Sequence, residues 1–135
     1  MSQIRHLSGR IWERLLKESG VDVFNGAQGR ILYVLWEHGN LTITEIGQLT
    51  SLAKTTLSGM LDRMEESGLI VRTPDKKNRR QIFISVTKKA KEYREIYESL
   101  SEKMNTIYYR GFNEEEVTMF EEKLRKIKKN LEREE

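Results

Sequence analysis

The sequence has no cysteine, a single proline and only two histidines. Without cysteine there can be no disulfide, no thiolate metal site and no thiol redox sensor. His6 and His38 are too few for a histidine-rich metal site, so no metal and no cofactor is expected. No apolar run approaches the roughly 18 residues of a membrane span, and the N-terminus lacks the apolar core of a signal peptide. The expectation is a soluble cytoplasmic protein with no membrane partner. Nothing resembles a nucleophile with its base and orienting group, a phosphate loop or a paired-carboxylate site. An enzyme is therefore not expected, and no catalytic residue is assigned.

What the chain has is charge. Charged residues make up 33% of it, for a net +3, and the sign is unevenly placed. Residues 1–49 balance to zero, residues 50–91 carry ten basic against four acidic side chains, and residues 92–135 lean acidic. A positive middle third suits the phosphate backbone of a nucleic acid.

Apolar periodicity runs almost to the C-terminus, which argues against disorder. Residues 2–18 read as a helix with Ile4, Leu7, Ile11 and Leu15 on one stripe. A second helix spans about 27–38 and is stopped by Gly39 and Asn40. Thr42 and Glu45 form a capping-box signature for a short third helix. After an interruption at 50–52, another helix runs from about 53 to 67. Its apolar positions Leu57, Met60, Leu61 and Met64 fix a buried face, which leaves Lys54, Thr55, Ser58, Gly59 and Asp62 outward. Gly68 ends it. Two β-rich runs, "LIVRT" and "QIFISV", flank an eight-residue basic tip, 74–81. Thr87 then caps one long helix predicted to continue to about residue 110. Gly111 breaks it, and Asn113 with three following glutamates starts the last helix, where acidic groups favour the positive dipole end. In that helix Val117, Phe120, Leu124, Ile127 and Leu131 step by three and four, a seam suited to a partner helix.

The predicted class is therefore mainly α with a small β-hairpin wing (α+β). Helix, short turn, helix and hairpin is the order of a winged helix-turn-helix. In that arrangement the second helix of the pair enters the major groove. An arginine from the hairpin tip can enter the narrow minor groove, and flanking lysines can neutralise phosphates.

The stretch from Leu41 to Glu92, above all "LDRMEESGLIVR" and the basic wing ending in "SVT", resembles the MarR family of winged-helix transcriptional regulators. The flanking helices suit the family layout, so the likeness covers nearly all of the single domain, 1–135. The resemblance implies a DNA-binding lobe over 27–92 and dimerisation helices over 1–20 and 93–135. It implies a homodimer with interleaved terminal helices, commonly a repressor, on a palindromic site in double-stranded DNA. The family's recognition helix falls on 53–66 and its wing on 72–81. Two departures stand out. Asn78 occupies the place of an acidic residue two before the minor-groove arginine, here Arg80. Ala53 occupies the place of a frequent capping serine, a loss of roughly 1 kcal/mol.

The candidate DNA contacts are Lys54, Thr55, Thr56, Ser58, Gly59 and Arg63 on the recognition helix, and Lys76, Lys77, Asn78, Arg79 and Arg80 on the wing. Either Arg79 or Arg80 is the groove arginine, while Asp62, Arg63 and Arg72 are open to pairing within the domain. Dimerisation falls to Ile4, Leu7, Ile11, Val117, Phe120, Leu124, Ile127 and Leu131. Family regulators often bind a small anionic or aromatic effector, and Trp12, Arg30, Tyr33 and Trp36 are the candidates for its pocket. The competing reading is a winged helix that binds protein without sequence-specific DNA recognition.

Overall fold

Several helices begin and end where local chemistry says they should. The computed structural model describes residues 1–135, which form two units, 1–101 and 102–135. In the first unit α1 (Ser2–Glu18) ends before Gly20, which adopts φ +82°. Asn25 caps α2 (Gly26–His38) through a full capping box with Gln28. Glu13 Oε1 also accepts from the Gly26 N–H at 2.7 Å. A Cβ on Gly26 would lie 2.7 Å from the Trp12 ring, so this approach of α1 to α2 needs glycine.

Strand β1 (Leu41–Thr42) leads into α3 (Ile43–Thr50), where Thr42 and Glu45 make the expected capping box. Ser51, at φ +59°, turns the chain toward α4 (Lys54–Glu66). Ala53 sits at the N-cap of α4 with no side-chain hydrogen bond, so that cap is missing. Strands β2 (Ile70–Pro74) and β3 (Ile82–Val86) form the hairpin. Pro74 pairs with Ile82 and so belongs to the strand, which shortens the tip to 75–81. β2 is an edge strand, where the missing proline N–H is tolerated.

Two features differ from the expectation. The antiparallel sheet has three strands in the order β1-β3-β2, with Leu41 opposite Ile84 and Thr42 opposite Phe83. β1 is only two residues long and is defined by a partner more than forty residues away, so no local pattern announces it. The helix after Thr87 is also not continuous. It divides into α5 (Lys88–Lys91) and α6 (Arg94–Tyr108). At the junction the backbone tightens to i→i−3 bonds, Glu92 N–H to Lys89 O and Tyr93 N–H to Ala90 O. Ala90 is fully buried there, and the Tyr93 ring stands edge-on to Phe24 at 5.7 Å. These tertiary anchors interrupt a periodicity that reads straight through.

The core of the first unit joins Ile31, Leu32 and Leu35 of α2 and Ile46 of α3 to Leu57, Leu61 and Met64 of α4, with Leu69, Ile70 and Ile84 from the hairpin. All are at most 2% exposed. In the second unit Asn113 caps α7 (Glu114–Glu132) with Glu116. Tyr109, Phe112 and Phe120 pack edge to face at 5.6 to 6.4 Å, and Tyr109 donates its hydroxyl proton to Glu121 at 2.9 Å.

Candidate nucleic-acid interface

The outer face of α4 is set by its inner one. Leu57, Met60, Leu61 and Met64 are all buried. Lys54, Thr55, Thr56 and Arg63 are therefore exposed, and Ser58 and Gly59 are half-exposed. No large apolar side chain interrupts this surface. An added Cβ at Gly59 would meet only Arg63 Nη1, at 3.8 Å. Nothing inside the chain requires glycine there, although glycine costs a helix about 1 kcal/mol relative to alanine.

The wing tip is built from two short side-chain turns. Asp75 Oδ1 accepts from the Lys77 N–H at 2.9 Å, and Asn78 Oδ1 accepts from the Arg80 N–H at 3.2 Å. The backbone closes the loop with Asp75 N–H to Gln81 O and Gln81 N–H to Asn78 O. Asparagine at 78 thus keeps the acceptor that holds the Arg80 backbone, without adding negative charge to the tip. Lys76, Lys77, Arg79 and Arg80 are exposed, and none forms an ion pair. Their charge faces solvent.

Arg72 behaves differently. Its guanidinium lies 2.9 Å from Asp62 Oδ1 and 3.2 Å from Glu65 Oε1. It is the least exposed partner in this cluster, at 23%. This clamp ties β2 to α4, and through it the wing to the helix beside it. It neutralises two carboxylates that would otherwise stand on the outer side of α4.

The positive middle third is consequently split. Lys54 stands at the start of α4, whereas Lys89 Nζ lies 3.5 Å from Ser67 O, beyond its end. Thirteen residues at 1.5 Å each separate these ends by about 20 Å. Lys88, Lys89 and Lys91 belong to α5, and Lys89 stands at the opposite end of α4 from Lys54. Composition counted them together, and only the fold separates them.

The candidate effector residues gather around one that the sequence did not single out, Tyr97. Its ring meets Trp12 at 5.1 Å, stacks on Tyr33 at 5.6 Å and meets Trp36 at 5.7 Å. Gly29 presses against the same ring, where a Cβ would come within 2.9 Å. Burial pushes the Tyr97 hydroxyl pKa above its ordinary value, and nearby Arg30 partly opposes this. Of the dimerisation candidates, Ile4, Leu7, Phe120, Leu124, Ile127 and Leu131 are exposed, and Ile11 and Val117 are half-exposed.

A family model described as "MarR family" matches residues 24–82. The organic hydroperoxide resistance transcriptional regulator of Bacillus subtilis is 43% identical over 56 residues, 42% of this chain and 38% of that protein. For four curated relatives the match spans between 38% and 56% of their length. Among solved structures, a SlyA-like transcription regulator from Listeria monocytogenes superposes with a TM-score of 0.86 at 22% identity. That superposition covers 96% of this chain and 85% of the other. Reduced AbfR bound to DNA superposes with a TM-score of 0.72 at 27% identity, over 96% of this chain and 89% of that one.

Proposed function

We propose that this chain, whose residues 24–82 match the MarR family model and whose fold is the winged helix-turn-helix, works as a homodimeric DNA-binding repressor released from a palindromic operator by a small anionic or aromatic effector. The observation that carries this reading is the contrast between Arg72 and the wing tip. Arg72, at the base of the wing, is neutralised against α4, while four cations at the tip have no ion-pair partner in the chain. A solvated turn has no need for such a division. A finger that meets phosphates and a narrow groove does.

In this reading α4 lies in the major groove with Lys54, Thr55, Thr56, Ser58 and Gly59 toward the bases, and Arg63 toward the backbone. Lys76 and Lys77 meet phosphates. Arg79 or Arg80 enters the minor groove, with Asn78 holding the turn behind it. Two copies, joined through Ile4, Leu7 and Ile11 and through the seam of α7, place two such helices one turn of DNA apart. The DNA-bound state of AbfR, a protein of the same fold, supports the choice of partner.

The test is fluorescence anisotropy on a duplex selected from fragments of the source genome. The expected result is nanomolar-range binding to an inverted repeat that falls steeply with salt. Arg79→Ala and Arg80→Ala are run side by side, and the groove arginine should lose about 1–3 kcal/mol. If neither change alters operator affinity, the wing does not read DNA. If no duplex is preferred over random sequence, the protein-binding module takes its place.

A further inference from the structure

Gly59 is the sixth of the thirteen residues of α4, in the interior of the helix. Glycine is a costly choice at such a position. At Gly26 and Gly29 a Cβ would strike a neighbouring ring, so the fold itself accounts for those glycines. At Gly59 a Cβ would meet only Arg63 Nη1, at an ordinary 3.8 Å. Gly9 of α1 is equally free, but it stands outside the helix-turn-helix. We propose that Gly59 is a specificity-determining residue of α4, seating the C5 methyl of one thymine in each operator half-site, with Arg63 on the adjacent phosphate of the same strand. This inference rests on the DNA-binding reading and adds to it a base.

The chemistry of the position selects the base. Gly59 has no side-chain donor or acceptor, and its N–H and C=O belong to the helix ladder. A surface of that kind cannot pair with a polar base edge. It can only receive an apolar group, and the one apolar group on a base edge in the major groove is the thymine methyl. The neighbour at the notch supports the same choice. The C5 side of a pyrimidine lies toward its own strand's backbone, so a cation beside the methyl is within reach of a phosphate. Arg63 is exposed and forms no ion pair, while Asp62 and Glu65 are held by Arg72. Its guanidinium is therefore free for that contact.

The rival is a phosphate drawn close to the bare helix backbone. A phosphate carries no base identity, so that arrangement is blind to a methyl group on the base. The two are separated by removing the methyl and nothing else.

The experiment uses the full chain and the operator duplex selected as above. Thymines of one half-site are replaced in turn by deoxyuridine, which keeps every base pair and every charge. Affinity is read by fluorescence anisotropy. At one position the loss should be about fourfold, the worth of one buried methyl group. Gly59→Ala places a methyl on the protein where the thymine methyl would sit. That variant should bind the thymine operator more weakly than the parent does, and the ratio between the thymine and deoxyuridine duplexes should fall to one or reverse. Such coupling between two single changes marks a direct contact. Lys77→Ala should weaken both duplexes alike and keep the fourfold ratio. If the operator is bound but no deoxyuridine replacement costs affinity, or if the fourfold loss persists in Gly59→Ala, the methyl contact is overturned and the DNA-binding reading stands. If no duplex is preferred over random sequence, that reading fails and the methyl contact fails with it.

Discussion

Helices α4 and α7 carry the same kind of apolar pattern and meet opposite fates. In α4, Leu57, Met60, Leu61 and Met64 are at most 6% exposed. In α7, Phe120, Leu124, Ile127 and Leu131 also recur at helical spacing, by four, three and four, yet the helix buries no residue and these four are 37% to 66% exposed. Periodicity specifies a face and says nothing of what covers it. α4 has α3 and β2 of its own chain to pack on. The proposed dimer rests on this row of large, exposed apolar side chains along α7.

The strongest way to break this comparison is to alter one apolar leucine in each helix. Leu61→Ala should cost about 2–5 kcal/mol in urea denaturation, because it opens a cavity in a closed core. Leu124→Lys changes a side chain that is 43% exposed in the single chain. It should instead halve the mass seen by sedimentation at concentrations where the parent is a dimer. If the mass does not change, the seam is not the interface.

A finer contrast lies within α4, between its inner and outer faces. Gly59→Ala should stabilise the fold by about 1 kcal/mol, since an added methyl meets only Arg63 Nη1 at an ordinary 3.8 Å and alanine favours helix. The same change should weaken operator binding if a base or phosphate approaches that position. Thermal denaturation and anisotropy on one sample would read both signs. A variant that gains stability and keeps full affinity would show that Gly59 is merely tolerated.

The smallest expected effect concerns a buried hydroxyl. Tyr97 has a pKa raised above 10 by burial. Its folded pKa exceeds the unfolded one, so its contribution is fully present below pH 10. That contribution is lost as pH rises through the raised value. Melting temperature should hold near neutrality and fall at strongly alkaline pH. In a tyrosinate absorbance titration, Tyr97→Phe should remove a late-ionising phase.

Features made by neighbours along the chain are legible in the sequence itself. The capping boxes at Thr42–Glu45 and Asn113–Glu116, the glycines after α1, α2 and α4, the buried stripe of α4 and the hairpin with its basic tip all depend on residues within a turn or a loop. The side-chain turn that Asn78 makes to Arg80 is equally local. It sharpens the significance of a neutral residue there, because the bond that holds the arginine survives the loss of charge.

What stayed hidden depends on distant partners. β1 exists only because Ile84 and Phe83 lie beside it. The break between α5 and α6 follows from Phe24 and a buried Ala90. Arg72 reads as one more wing cation until Asp62 and Glu65 come within reach of it. Lys89 of α5 adds to a local sum of charge but stands at the opposite end of α4 from Lys54. Tyr97 looks like an ordinary core residue until Trp12, Tyr33 and Trp36 gather around its ring. The sequence by itself determined the elements, their caps and their faces, because these are settled by torsions and hydrogen bonds over a few residues. The tertiary structure decided which charges are neutralised and which remain available, because that depends on distances between groups that only folding brings together.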